Sequence, residues 1–290
     1  MNLTIFALAL LSGILNAVWN FFSKKKASDF SVMITGVCVA NLTVLPISLL
    51  IIALQGFDSR AIPFMVATGV VEAVDFYLLV KLYQGSDISM AYPVSRGTGV
   101  MFIAILSSII FKEHISHLAK VGIFLVLLGV LFFSLHKGRG FKDVMESIKK
   151  QKIAFLTGLA MVVYTLIDRA GAPYCNPLVF FNAKELISMV LIVPFLFRGG
   201  HTISHMRETM RKDGRYALTI GYGIICSYVL ILIIYNLFAE AKTSYVTPIR
   251  ETSMVIGAVM GFVFLKEKAT TNKIAGILAI VLGVILIKVG

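Results

Sequence analysis

The stretches YPVSRGTGVMFIAILSSIIFKE (residues 92–113) and VTPIRETSMVIGAVMGFVFLKE (residues 246–267) repeat one pattern. At a fixed offset of 154, Arg96 aligns with Arg250, Thr98 with Thr252, Lys112 with Lys266 and Glu113 with Glu267. The match runs on to Gly122 with Gly276 and Gly129 with Gly283, and only the prolines, Pro93 and Pro248, miss by one position. Apolar helices resemble one another by chance, but aligned charges, threonines and glycines do not arise that way. A weaker match at an offset of 145 pairs Gly13 with Gly158, Trp19 with Tyr164, Ser23 with Asp168 and Lys24 with Arg169.

The medium around these segments follows from composition. Hydrophobic residues are 58% of the 290, charged residues 14%, and the mean hydropathy is +0.89. Soluble domains carry about 25% charge, so this chain belongs in lipid. Spans of roughly 20 apolar residues are expected over 3–22, 31–54, 61–83, 89–111, 118–135, 153–170, 178–197, 216–239, 243–265 and 272–289. The first has no basic leader and no small-residue cleavage site, and is expected to be a retained helix rather than a signal peptide. The expected fold is all-α: a polytopic membrane bundle of ten transmembrane helices in two five-helix repeats, 1–135 and 153–290. A basic linker, 136–152, carries Phe141, Val144, Met145 and Ile148 at helical spacing, as in an amphipathic surface helix. Five crossings per half place the second half upside down, the inverted construction of many secondary transporters.

The formal charge of +12 does not signal nucleic acid, because the basic residues lie between apolar spans, beside anionic headgroups. Loops on one side hold 17 Lys and Arg, among them Lys24, Lys25, Lys26, Arg207, Arg211, Lys212 and Arg215, against 6 on the other. The rich side is expected to be cytoplasmic, in a plasma or inner membrane, with both termini outside. Cys38, Cys175 and Cys226 show neither disulfide nor zinc spacing and are expected to be apolar fillers. His201 and His205 are four apart but lack a companion ligand, so no metal and no cofactor is expected.

Ten spans in two five-helix halves, with a Pro-plus-Arg opening and a KE close in the fourth and ninth, resemble the drug/metabolite transporter superfamily, specifically its EamA-type permeases. The glycine-rich ends of the fifth and tenth spans fit the same pattern. The resemblance implies a central cavity between the halves, peripheral fifth and tenth helices, and alternating access. Many members export amino acids or other metabolites.

A charge at mid-bilayer costs roughly 2.5–3.5 kcal/mol on insertion scales, so each intramembrane charge needs a partner or an aqueous cavity. The candidates are Glu72, Asp75, Lys81, Arg96, Lys184, Glu185, Arg250 and Glu251. They either pair and lock the bundle or line a cavity for a zwitterion or ion. Arg96 and Arg250 follow prolines and offer rigid forks for an acid group, with snorkelling as the alternative. Glu72 and Asp75 are three apart on one face and form a candidate proton or cation site, or an ammonium site; alternatively one bonds Lys184 and the other Tyr77 or a nearby tyrosine. Asn16, Trp19, Asn20 and Ser23 share one face of the first helix, with Tyr164 and Asp168 among their counterparts in the sixth. This stripe, with Tyr92 and Tyr228, suits a cavity wall or interhelical hydrogen bonding equally. Lys112, Glu113, Lys266 and Glu267 are expected to anchor at the interface, and Gly257 and Gly261 to allow close helix packing.

The expected function is secondary transport, as an exporter, of a small polar metabolite such as an amino acid or another zwitterion or anion, by a monomer or homodimer, with a proton or cation as coupling ion. The alternatives are an uptake carrier for a small organic anion or amine, and an intramembrane enzyme. No HExxH or GxSxG pattern supports an enzyme.

Overall fold

The computed structural model describes residues 1–26, 30–85, 88–134, 152–198, 202–264, 266 and 268–290. The surface helix expected over 136–152 lies outside these up to Lys152, as do His201 and Glu267, and the side chain of Tyr92 is not among those described. The helices are α1 (Leu3–Lys25), α2 (Phe30–Gln55), α3 (Ile62–Gly85), α4 (Ile88–Ile110), α5 (His117–Ser134) and α6 (Lys152–Gly171). They continue with α7 (Pro177–Arg198), α8 (Ile203–Leu237), α9 (Thr243–Arg250), α10 (Thr252–Phe264) and α11 (Thr271–Val289). Short 3₁₀ turns, Ser59–Ala61 and Ala172–Tyr174, precede α3 and follow α6. No strand occurs among the described residues.

Among the described residues, eight helices are long and apolar enough to cross a membrane, including α9 and α10 taken together as Thr243–Phe264. The expected spans 89–111 and 118–135 correspond to shorter apolar stretches, Ser95–Ile110 and His117–Phe132. Long apolar helices satisfy every backbone hydrogen bond internally, which lipid demands. Leucine, isoleucine and valine side chains therefore face outward in numbers a soluble protein would not tolerate, with Leu54, Val190 and Ile109 each more than 60% exposed.

Two helices depart from the expected outlines. The eighth span begins at Ile203 rather than 216, because the basic segment before it is helical too. Thr202 caps that start by accepting from His205 N, and Glu208 pairs with Lys212 one turn on. The axis bends at Asp213 (φ −127°, ψ 21°), whose carboxylate holds Lys26 at 2.6 Å. The ninth span is broken at Glu251, where Glu251 N bonds Pro248 O and Ile249 O in a tightened turn. Pro248 has no N–H to donate to Ser244 O, which weakens the turn before the break, and the break itself lies three residues further on.

The chain forms two compact units that cut across the sequence halves. The first comprises Met1–Leu10, Val74–Leu166 and Glu240–Gly290; the second Leu11–Ala73 and Ile167–Ala239. In the first, α5 packs along α11 through glycines. A Cβ on Gly122 would lie 2.6 Å from Gly283 O, and one on Gly283 would lie 2.5 Å from Gly122 O. A Cβ on Gly129 would lie 2.8 Å from Gly276 O. The absent side chains let the two backbones touch, as small residues do in membrane interfaces. Backbone there has no room to yield.

The loop after α4 is pinned within this unit. Glu113 accepts from Thr243 N (2.7 Å), Ser244 N (3.0 Å) and Ser107 Oγ (3.0 Å), which places its carboxylate on the N-terminus of α9. A helix N-terminus has free N–H groups and a positive dipole end, so this is capping. The interfacial anchoring expected of Glu113 is corrected accordingly. Lys112 and Lys266, equivalent by the offset of 154, both take left-handed backbone, with φ 53° and 54°.

In the second unit α2 packs on α8, with Gly36 against Ala217 and Gly221. Asn182 Nδ2 donates to Asn41 O at 2.9 Å and Ser12 Oγ to Ser227 O at 2.6 Å. Such bonds stabilise helix pairs in lipid by about 0.6 kcal/mol each.

Candidate functional site

The second unit buries a charge network built from four helices. Lys184, on α7, is 0% exposed. Its ammonium donates to Asp168 Oδ2, on α6, at 2.9 Å and also to Glu72 Oε1, on α3. Tyr228, on α8, donates to the same Asp168 oxygen at 2.5 Å, and Thr68, one turn before Glu72, donates to Asp168 Oδ1 at 2.9 Å. The ammonium also lies 4.0 Å from the centre of the Tyr228 ring and 5.5 Å from that of Phe181. Carboxylates and aromatic faces together form the usual surroundings of a desolvated cation. Glu185, half-buried beside Lys184 on α7, is close enough for its charge to act on Lys184 and Glu72.

The two carboxylates are unequally served. Both oxygens of Asp168 accept hydrogen bonds, three in all. Glu72 Oε2 is buried with no hydrogen-bond partner among the described residues. Glu72 and Asp75 do not fall in one unit, since Glu72 belongs to the second and Asp75 to the first. At Glu72 the bonded partner is Lys184, one of the alternatives raised for it above.

The first unit holds a looser ion pair. Arg96 Nη1, on α4, is 3.5 Å from Glu251 Oε1 at the break between α9 and α10, and 3.7 Å from Met161 Sδ. Glu251 is 1% exposed, and its Oε2 has no hydrogen-bond partner among the described residues. Asp75 Oδ1 is likewise buried without a partner among them, and Arg96 is the charge that acts on it electrostatically. Arg250 ends α9, next to Glu251.

The other expected residues make the following contacts. Trp19 Nε1 donates to Asn16 Oδ1 at 3.1 Å and Asn20 Nδ2 to Asn16 O at 2.7 Å, so this stripe is bonded along α1 itself. Tyr164 packs on Ile103, Met161 and Val162. Tyr77 is 41% exposed, with the Lys81 ammonium 4.6 Å over its ring. Sequence reasoning left Thr68 and Phe181 unmentioned, and raised Lys184 as a pairing or cavity-lining charge. Thr68 lies four residues before Glu72, on the same helical face, which was the available signal.

A cavity of about 530 Å³ lies elsewhere in the second unit, lined by Gln55, Asp58, Tyr174, Asn176 and Asn236 among others. None of the expected binding residues lines it. Asp58 at its edge is held by Arg60 at 2.7 Å, and that guanidinium keeps the Asp58 carboxyl below the ordinary carboxylate range. Among the described residues no three His, Cys, Asp or Glu side chains converge as a metal site.

Apolar helices of membrane-crossing length around buried ion networks define a polytopic helical membrane protein. The EamA-like transporter family model matches residues 3–135 and 151–289, and the chain belongs to that family. It is 29% identical over 80 residues to YvaE, an uncharacterized membrane protein of Bacillus subtilis (strain 168), covering 24% of this chain and 67% of that one. A solved crystal structure at 11% identity superposes with a TM-score of 0.70 over 98% of this chain and 97% of its own, which shows a shared fold.

Proposed function

We propose that the protein is a secondary transporter that exports a small polar metabolite, an amino acid or another zwitterion or anion, across the plasma or inner membrane by alternating access. The carrying observation is the Lys184–Asp168–Glu72 network, with Lys184 and Asp168 fully buried, in a bundle that faces lipid. Ionic groups are costly in such a place, and those that persist line solute or ion pathways by default. Arg96 and Glu251 add a second ionic point at a broken helix, and discontinuous helices present backbone groups to solutes in many carriers.

The repeat supports the transport reading. Lys112 and Lys266 share a backbone conformation, and the α5–α11 contact is reciprocal: Gly122 meets Gly283 while their repeat equivalents, Gly276 and Gly129, meet each other. A two-fold relation between inverted halves gives such a contact. Halves related in that way favour opening to opposite sides. The loop charges orient 24–26, 136–152 and 198–215 to the cytoplasm.

The test is counterflow in proteoliposomes preloaded with single unlabelled amino acids, amines or small organic acids. A carrier gives saturable uptake of the labelled solute, accelerated by the same solute on the opposite side. Flux that rises linearly with concentration, without acceleration, would overturn the reading in favour of a channel.

A further inference from the structure

Of the three carboxylates around Lys184, one is distinguished by its bonding. Asp168 is 0% exposed and receives donors on both oxygens, from Thr68, Lys184 and Tyr228. Asp168 is therefore the more fully bonded counter-charge of Lys184. Among the described residues Glu72 receives the Lys184 ammonium on Oε1, while the buried Oε2 has no hydrogen-bond partner. Burying an unpartnered oxygen costs more when the group is ionised than when it is neutral.

The charge balance points the same way. The charged groups acting on Glu72 are Lys184 and Glu185 from α7 and Asp168 from α6. Thr68 and Tyr228 complete the polar surroundings from α3 and α8, and Cys38, from α2, faces Glu185. One ammonium therefore stands among three carboxylates. With Asp168 ionised, a second and third negative charge have no counterpart in a poorly hydrated place. Glu185 is half-buried and keeps part of its surface. Access separates the bonded trio further: the Glu72 side chain is 13% exposed, whereas Lys184 and Asp168 are 0%.

We propose that Glu72 is a proton-binding site, taking up and releasing one proton while Asp168 stays ionised against Lys184. Uptake converts the carboxylate to a neutral acid and removes its charge-assisted bond to Lys184, and the ammonium keeps its 2.9 Å contact with Asp168. Protonation thereby weakens one of the ties between α3 and α7, and deprotonation restores it, while the Thr68–Asp168–Lys184 bonds and the packing of Gly69 on α7 remain. For its purpose as a coupling site the proposal rests on the transport reading, and it names the proton as the coupling ion.

The experiment is an infrared titration of the full-length protein in liposomes, from alkaline to acidic pH, following the carbonyl stretch of a buried protonated carboxylic acid. The wild type should gain several such components as pH falls, since Asp75 Oδ1 is buried and Glu185 half-buried as well. Glu72→Gln should remove one component, which Glu185→Gln and Asp75→Asn each leave in place. No component at any pH, or a difference spectrum unchanged by Glu72→Gln, overturns the proposal. If Glu72→Gln does not reconstitute, Glu72→Asp decides: a shifted titration midpoint supports the site, and an unchanged midpoint and band frequency overturn it. The titration needs no transported solute, so absent counterflow and an absent band are separate results.

Discussion

Replacing Lys184 by Met keeps the length and most of the volume of the side chain and deletes its charge. At 2.9 Å and an effective dielectric of about 20, the ammonium attracts the Asp168 carboxylate by about 6 kcal/mol. Desolvation of both groups offsets several kcal/mol of that, so the network is worth little against an apolar equivalent. Removing the cation alone is another matter. Asp168 is left fully buried with Thr68 and Tyr228 as donors but no counter-charge, and Glu72 loses its only bonded partner among the described residues. Truncations of this kind cost about 3–5 kcal/mol, or a hundred- to several-thousand-fold in the unfolding equilibrium. The assay is reversible unfolding in mixed micelles at fixed detergent composition. The cost should shrink at acidic pH, where Glu72 accepts a proton in place of the ammonium. Lys184→Met combined with Asp168→Asn and Glu72→Gln should recover most of the loss, because no orphan charge remains. A single Lys184→Met variant within about 1 kcal/mol of wild type at neutral pH would refute the reasoning, since the ammonium would then be dispensable to its neighbours.

Gly122→Ala places a methyl against the α11 backbone and should lower stability in detergent by about 1–3 kcal/mol, whereas Gly257→Ala, with nothing within 4 Å, should leave it unchanged or slightly raised. Equal melting of the two variants would contradict the packing described for α5 and α11. Single cysteines placed in 24–26, 136–152 and 198–215, in a cysteine-free background, should resist an impermeant thiol reagent in whole cells; ready labelling of 136–152 would reverse the orientation. Arg250→Lys should weaken counterflow of a carboxylate-bearing solute although the charge is kept, and Arg250→Gln should weaken it further. Wild-type counterflow in Arg250→Gln would remove that arginine from the solute site.

The fold was legible wherever lipid imposes one solution. A run of some 20 apolar residues has few structural options, so hydropathy located the helical segments closely. The same measure missed the first 13 residues of α8, because Arg207, Arg211 and Lys212 form a helix outside the apolar core that no hydropathy window registers. The break at Glu251 was not legible, since prolines also lie inside the continuous helices α2 and α7, at Pro46 and Pro194. The site was legible as a list of charges in need of partners, and less so as an arrangement. Glu72 with Lys184 could be raised as one pairing among several, but Asp168 as their shared neighbour depends on how α3, α6, α7 and α8 meet. Glu113 was misread for the same reason. Its position at a helix end is visible in sequence, but the helix N-terminus it caps begins 130 residues later, at Thr243.

The glycine contact between α5 and α11 carries a mechanical consequence. Sliding α11 along α5 by one turn, about 5.4 Å, would put the Cβ of Ile287 where Gly283 now meets Gly122. Both contact points, Gly122 with Gly283 and Gly129 with Gly276, would jam together, because neither backbone can retreat. Ratcheting is closed to this pair, and so is rolling, which would turn the glycines away and bring β-carbons into the gap. α5 and α11 therefore act as one stiff strut, and any displacement within their unit must be taken up at joints that lack such a lock, of which the turn at Glu251 is one.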